Sequence, residues 1–493
     1  MEALSFSSLV FNSDRPLQEQ LQHHLTDWIC SGRLAPGTRL PASRRLALEL
    51  GISRNTVTIV LEQLRSEGFL ESFPGKGVFV SSEMPKGVEG LSQVKWMNKI
   101  SLPALSDFGQ TLNKTSLSEH SEILPFTPGI PDISAFPQQI WQQIQRRHQD
   151  RRTLMGYNGN QGYAPLRESL SEYLRLSRGV HCKPEQIIIT QGAQQAISLC
   201  AQVLLNEGDS VLVENPGYMG AKKAFQAKRA NLISCPLGSN GIDLEALCNG
   251  TIKGSSKAKL MYVTPTHQYP LGGILSAAQR LKLLDWAAKQ NTWLIEDDYD
   301  SEFHFYHKPI ASLQGMAKQT PVIYMGSFSK TLFPALRLGY LVVPEELTKV
   351  FVKAKSFMGG ESPLLTQAVV ADFINEGHFV RHLRRMRLLY QDKWQHLSTL
   401  LNDELSDYVK PIAQSAGMHL AIEIPNTNDE ILKQNLKEAG YGSSSLSSYF
   451  IDKPAMSGLV LGFANTTHKQ RKLGVSGLKS IIKKEAQQVF PKL

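Results

Sequence analysis

Residues 322–343 read VIYMGSFSKTLFPALRLGYLVV, and this stretch decides how the body of the chain is read. Its two ends, VIYMG (322–326) and GYLVV (339–343), are near-continuous apolar runs. Such runs mark strands buried on both faces, as in a mostly parallel sheet covered by helices. Between them stand Ser327, Ser329, Lys330, Pro334 and Arg337. A lysine just past a buried strand, flanked by hydroxyls and followed by an arginine, fits an amine held covalently to a carbonyl beside a phosphate. Ser-x-Ser-Lys alone is a weak signal. It gains weight from a second strand end, Ile295-Glu296-Asp297-Asp298-Tyr299, which carries carboxylates and then a phenol. An aspartate paired to a pyridinium nitrogen keeps such a ring protonated and able to accept electrons. Both segments fall at C-terminal ends of strands, where open parallel sheets collect their ligands.

Outward from this centre, QIIIT (186–190), SVLVE (210–214), KLMYV (259–263) and TWLIE (292–296) repeat the buried-strand texture, alternating with helical stretches. After residue 375 the pattern turns helical and then mixed, which predicts a smaller C-terminal α/β subdomain. Residues 82–120 are polar, rich in Ser and Lys, and without sustained periodicity. They are expected to form a linker, with Trp96 and Met97 docking on a surface. The body is then 121–493 and the head 12–81. No internal repeat is visible.

In the head, Leu17, Leu21, Leu25, Trp28 and Ile29 lie on one helical stripe after Pro16. A second helix is expected over Ala42–Leu50, closed by Gly51. Ser53 is a natural N-cap for a third, Arg54–Glu67, stopped by Gly68. FLESFPGKGVFVS then alternates as a two-stranded wing with a turn at Pro74–Gly77. Helix, turn, helix and wing is the layout that lays one helix into a DNA major groove.

Bulk properties narrow the class. The chain has 493 residues and a net charge of +9, yet residues 1–80 carry eight Lys/Arg against eight Asp/Glu. A DNA argument must therefore rest on where the head's charges point, not on their sum. No apolar run approaches the ~20 residues that span a bilayer, and MEALSFSSLVFNSDR lacks the basic leader of a signal peptide. Five scattered cysteines, never spaced as CxxC, fit reduced thiols in a cytoplasmic protein and indicate no disulfide framework or metal site.

Leu40-Pro41-Ala42-Ser43-Arg44, Leu50-Gly51-Ile52-Ser53-Arg54-Asn55-Thr56-Val57, Glu67-Gly68 and Gly75-Lys76-Gly77-Val78-Phe79-Val80 resemble the winged helix-turn-helix of the GntR family of bacterial regulators. The resemblance implies contacts to double-stranded operator DNA from Arg44, Arg54, Asn55, Thr56 and Lys76. Arg suits guanine, Asn suits adenine, and a wing lysine suits phosphate or the minor groove. The body resembles fold-type I aminotransferases, which depend on pyridoxal 5′-phosphate (PLP). On that resemblance Lys330 carries PLP, Asp297 pairs with the ring nitrogen and Tyr299 bonds the ring hydroxyl oxygen. Ser327, Arg337 and the helix opening of Gly192, Ala193 and Gln194 bind the phosphate. Tyr218 is implied to stack on the ring, core packing being the other reading. Tyr157 is implied to reach the phosphate across a homodimer interface. Thr264-Pro265-Thr266-His267-Gln268-Tyr269-Pro270-Leu271-Gly272 looks like the MocR/GabR subfamily, a GntR-type head fused to an aminotransferase-like body.

One stretch departs from the aminotransferase pattern. Ser457-Gly458-Leu459-Val460-Leu461-Gly462-Phe463 lacks the arginine that clamps a substrate carboxylate in such enzymes. Three functions stay open: a regulator responding to PLP or to an amine or amino acid reacting with it, an aminotransferase with an auxiliary head, and a sensor of PLP itself. His267 reads equally as a base or a structural histidine. Arg381, Arg384, Arg385 and Arg387 read as a solvated face before a DNA patch.

Overall fold

Helices α1 (Leu17–Cys30), α2 (Ser43–Leu50) and α3 (Arg54–Ser66) close around one apolar core. In this computed structural model the described residues are 6, 9, 11–12, 15–82, 103–114, 123–306, 310–412 and 416–489. Leu21, Leu25, Trp28 and Ile29 of α1 are buried with Val57, Val60, Leu61 and Leu64 of α3, each large side chain contributing about 1.5–3 kcal/mol. Leu17, expected on the same stripe, is 42% exposed; it opens the helix, a full turn before the first residue that meets the core. Gly51 takes the left-handed conformation that ends α2 (φ 66°). Ser53 caps α3, its side chain accepting from Thr56 N at 3.1 Å. Strands β1 (Leu70–Phe73) and β2 (Gly77–Val80) pair antiparallel as the wing, with Lys76 N donating to Phe73 O across the turn.

The chain divides into two compact units, Met1–Leu105 and Ser106–Leu493. Most of the stretch read as a linker, including Trp96 and Met97, lies outside the described residues. Within it Asp107–Lys114 forms a helix, started by Ser106, whose Oγ accepts from Gly109 N at 3.1 Å. Asp107 pairs with Arg229 at 3.0 Å.

The body is built on a sheet whose strands are β3 (Ile187–Thr190), β4 (Ser210–Asn215), β5 (Asn231–Gly238), β6 (Gly241–Ile242), β7 (Leu260–Val263), β8 (Trp293–Asp298), β9 (Val322–Ser327) and β10 (Gly339–Val342). Their spatial order among the described residues is β3-β10-β9-β8-β7-β4-β5-β6. The strands β9-β8-β7-β4-β5 run parallel. β10 runs against both its neighbours, β9 and β3, a reversal that an apolar run cannot announce because burial on both faces looks the same in either direction. Alternate residues explain the runs. Val211, Val213, Leu260 and Tyr262 pack toward the side of Ala193–Leu204 and Met219–Ala227. Leu212, Met261 and Val263 pack toward Ala277–Gln290. The sheet thus has no polar face.

Beyond the long helix His378–Leu405, strands β11 (Lys410–Pro411), β12 (His419–Glu423), β13 (Ser444–Ser445) and β14 (Gly458–Gly462) form an antiparallel sheet in the order β11-β12-β14-β13. It is the expected C-terminal subdomain. Among the described residues no helix is long and apolar enough to cross a membrane.

Candidate cofactor site

At the C-terminal ends of β8 and β9 lies a cavity of about 230 Å³ whose lining includes Ala193, Gln194, Tyr218, Asp297, Tyr299, Ser327, Lys330 and Arg337. Residues spread over nearly 150 positions of sequence are thus brought to one place. Lys330 is delivered by a single helical turn, Phe328–Thr331, which Ser327 caps by accepting from Ser329 N at 3.1 Å. Its Nζ donates to the backbone oxygen of Gly129 at 2.7 Å. Burial lowers the lysine pKa, against the pull of Asp300 and Asp297. Gly129 was not anticipated from the sequence. It has φ 75°, and a Cβ there would lie 2.4 Å from Nζ, so a side chain at this position would strain the backbone and displace the amine.

The end of β8 concentrates acids, and their partners differ. Glu296 meets Arg280 at 3.6 Å, Asp298 meets Arg178 at 2.6 Å and Asp300 meets His267 at 3.0 Å. Of these four carboxylates, Asp297 alone has no basic side chain at ion-pair distance among the described residues. Tyr262 donates to its Oδ2, while Oδ1 is buried with no hydrogen-bond partner among the described residues. Burial pushes the Asp297 carboxyl up to about 7, helped by Asp298 and Asp300. Tyr262 had no signal beyond its place in a buried strand. Tyr299 lines the cavity, and its hydroxyl meets His267 Nδ1 at 2.9 Å. His267 is buried and does not itself line the cavity, although its partner Tyr299 does. His267, Asp300 and His419 converge closely enough to share an ion. Asp300 is already paired with His267, and His419 Nε2 faces the Pro270 carbonyl at 3.1 Å.

At the other end, Gly192 (φ 86°) caps the helix Ala193–Leu204, and Arg337, held left-handed at φ 49°, sends Nη2 to Gln191 O at 3.3 Å. The guanidinium lies beside Gly192, where a Cβ would meet its Cζ at 3.8 Å, an ordinary van der Waals contact. A helix N-terminus and an arginine together make an anion site. Gln194 spends its side-chain amide on Gly220 O at 3.0 Å, leaving its backbone for the cavity. Tyr218 lines the cavity and packs edge-on against Tyr269. Tyr157 is elsewhere: it does not line the cavity and is 96% exposed.

In the head, Arg54, Asn55 and Thr56 form the first turn of α3, Arg44 opens α2, and Lys76 sits on the wing turn. All but Thr56 are exposed. Thr56 is half-buried, its hydroxyl bonded to Ser53 Oγ at 2.8 Å, so it serves the helix cap first. Arg65 donates to Ser72 Oγ at 3.3 Å, tying α3 to the wing.

Residues 17–80 match the bacterial regulatory proteins of the gntR family, and residues 125–456 match aminotransferase class I and II. Over 476 residues the chain is 37% identical to the probable rhizopine catabolism regulatory protein MocR of Rhizobium meliloti, covering 95% of this chain and 94% of that one. The chain belongs to the MocR-type regulators of the GntR family. It is also 28% identical to the pyridoxine biosynthesis transcriptional regulator PdxR of Corynebacterium glutamicum, over 90% of this chain and 91% of that one. Its body is similar to the α-aminoadipate aminotransferase LysN of Thermus thermophilus, solved with N-(5′-phosphopyridoxyl)-L-leucine. That match has 30% identity and a TM-score of 0.68, over 77% of this chain and 95% of that chain.

This MocR-type protein is therefore a PLP-binding transcription regulator. The residues present fit PLP: an amine with no carboxylate in its grasp, an acid with one orphaned buried oxygen, and an anion site share one cavity. When bound, PLP supplies a ring that withdraws electrons from an attached amine. Among the described residues, Arg337 is the one arginine lining the cavity. β14 presents the uncharged run Gly458–Gly462.

Proposed function

We propose that the head (12–81) binds operator DNA and that the body (121–493), joined through 82–120, reports on PLP or on an amine or amino acid that reacts with it. In this proposal Lys330 holds the cofactor and Asp297 balances the charge of its ring nitrogen. Tyr299 donates to the ring oxygen, Tyr218 packs on the ring, and Ser327, Arg337 and the turn of Gly192, Ala193 and Gln194 hold the phosphate. The observation that carries it is the orphaned Asp297 Oδ1 in the cavity of the Lys330 amine, with no arginine on β14 to seat an amino-acid substrate. Arg44, Arg54, Asn55 and Thr56 face the groove, and Lys76 reaches a phosphate or the minor groove.

The working form is a cytoplasmic homodimer. Tyr157 and Phe357, 96% and 90% exposed, stand on segments tied together: Lys355 Nζ donates to Asn160 O at 2.6 Å, and Glu361 accepts from Asn158 N at 2.9 Å. Paired exposed aromatics of this kind mark association surfaces. Tyr157 reaches the phosphate of the neighbouring subunit.

Titrating the purified protein with amines and amino acids, following the visible absorbance and operator affinity together, tests this reading. A stoichiometric spectral change with altered DNA affinity is expected. Sustained formation of an oxo acid, with DNA binding indifferent to every compound, would instead make the chain an aminotransferase with an auxiliary head.

A further inference from the structure

Of the basic run on the helix His378–Leu405, Arg381, Arg384 and Arg385 are exposed, as a solvated face requires, and Arg387 is half-buried. Arg381 turns to Glu376 O at 2.8 Å, and Arg385 donates to Ala135 O. Arg384 and Arg387 instead line a second cavity, about 730 Å³, which shares no lining residue with the cofactor cavity. Its other walls come from the helix Ala164–Arg178, from the loop after β8 and from the end of the helix Leu364–Asn375.

Neither Arg384 nor Arg387 has a carboxylate at ion-pair distance among the described residues. Arg387 Nε donates to the backbone oxygen of Glu302 at 2.9 Å, leaving the rest of its guanidinium for the cavity. Arg387 is half-buried, and burial disfavours its charge. Below it, Ser301 is 7% exposed and its Oγ has no hydrogen-bond partner among the described residues. Glu302 accepts from Tyr173 OH at 3.1 Å through Oε1, while Oε2 is buried and unpartnered. Burial and nearby Asp298 push the Glu302 carboxyl up to about 7, so near neutral pH it can donate a proton in a hydrogen bond. Arg178, the remaining cation of the wall, is already paired with Asp298 at 2.6 Å.

Two guanidiniums without a carboxylate partner, a buried hydroxyl and a carboxyl pushed up to about 7 line one cavity, and the other acid of its lining, Glu172, is already paired with Arg175 at 2.7 Å. Planar guanidiniums match carboxylate and phosphate oxygens in pairs. We propose that this cavity is a second small-molecule site that binds an oxyanion, a carboxylate or phosphate group, between Arg384 and Arg387, with Ser301 and Glu302 completing its hydrogen bonds.

Calorimetric titration of the cofactor-loaded full chain with inorganic phosphate, and separately with succinate, tests this. Saturable binding of either probe is expected, and whichever binds more tightly names the class of ligand. Arg384→Ala and Arg387→Ala should each weaken it about 10- to 100-fold, and the double substitution should abolish it. The visible absorbance of the cofactor on Lys330 should stay unchanged in all three, showing that the body is folded. Absence of saturable binding for both probes, or binding that survives the double substitution in cofactor-loaded protein, overturns the proposal. The second result would place the anion elsewhere, for instance on the head.

Discussion

Lys330 and Asp297 face one cavity with opposite needs, and their substitutions should separate. Lys330→Ala should erase the visible absorbance of lysine-bound PLP and the adduct trapped by borohydride; an adduct retained on another lysine would overturn the assignment. Asp297 predicts a pH dependence. Its carboxyl is raised from an ordinary 3.8 to about 7 in the folded chain, so the folded state binds the proton more tightly than the unfolded one. Its contribution to the stability of PLP-free protein is complete below about 4 and is lost as pH rises toward 7. Thermal denaturation should show that decline, on the order of 1–4 kcal/mol, and Asp297→Asn should flatten it. Loading PLP should flatten it too, since a ring cation opposite Oδ1 favours the ionised acid. Asp297 and Lys330 were legible as strand-end residues of reactive type. Gly129 and Tyr262 were not, because their contacts span 201 and 35 positions and involve a backbone oxygen and a core phenol.

At the scale of elements, α3 depends on its cap. Ser53→Ala should destabilise the head by about 0.5–2 kcal/mol, read as a lower melting temperature of the isolated segment 1–82. Arg54→Ala, exposed and touching no core residue, should leave that melting unchanged while weakening operator binding by about 1–3 kcal/mol and relaxing preference at one base. Lys76→Ala should weaken binding to all sequences and reduce the salt slope by about one. A common loss on every sequence from Arg54→Ala would show that it contacts backbone instead. Periodicity placed all three helices of the head. The exposure of Leu17 was not legible there, because a stripe says which residues share a face and not where the neighbouring element ends.

For the molecule as a whole, the dimer is the decisive prediction. Sedimentation or light scattering should show a dimer with and without DNA, and Tyr157→Ala should weaken PLP retention in that dimer. A stable monomer with full PLP affinity would refute a shared phosphate site. Joining two heads through one dimer makes the second binding event intramolecular. Two heads on one dimer should therefore bind a paired operator far more tightly than isolated heads do, as gel-shift titration of both forms will show.

The sequence by itself determined the order of head and body, the three helices and wing, and the buried strands. It also determined the residue types that PLP requires, since periodicity, caps and strand-end chemistry are local properties. Tertiary structure alone decided that β10 runs antiparallel, because burial on both faces carries no direction. It decided which of the acids at the end of β8 is left without a basic partner among the described residues, because Arg178, Arg280 and His267 arrive from separate segments. It also divided one basic helical run between backbone carbonyls and a second cavity. Each of these depends on what lies across the fold, and spacing along a chain does not contain it.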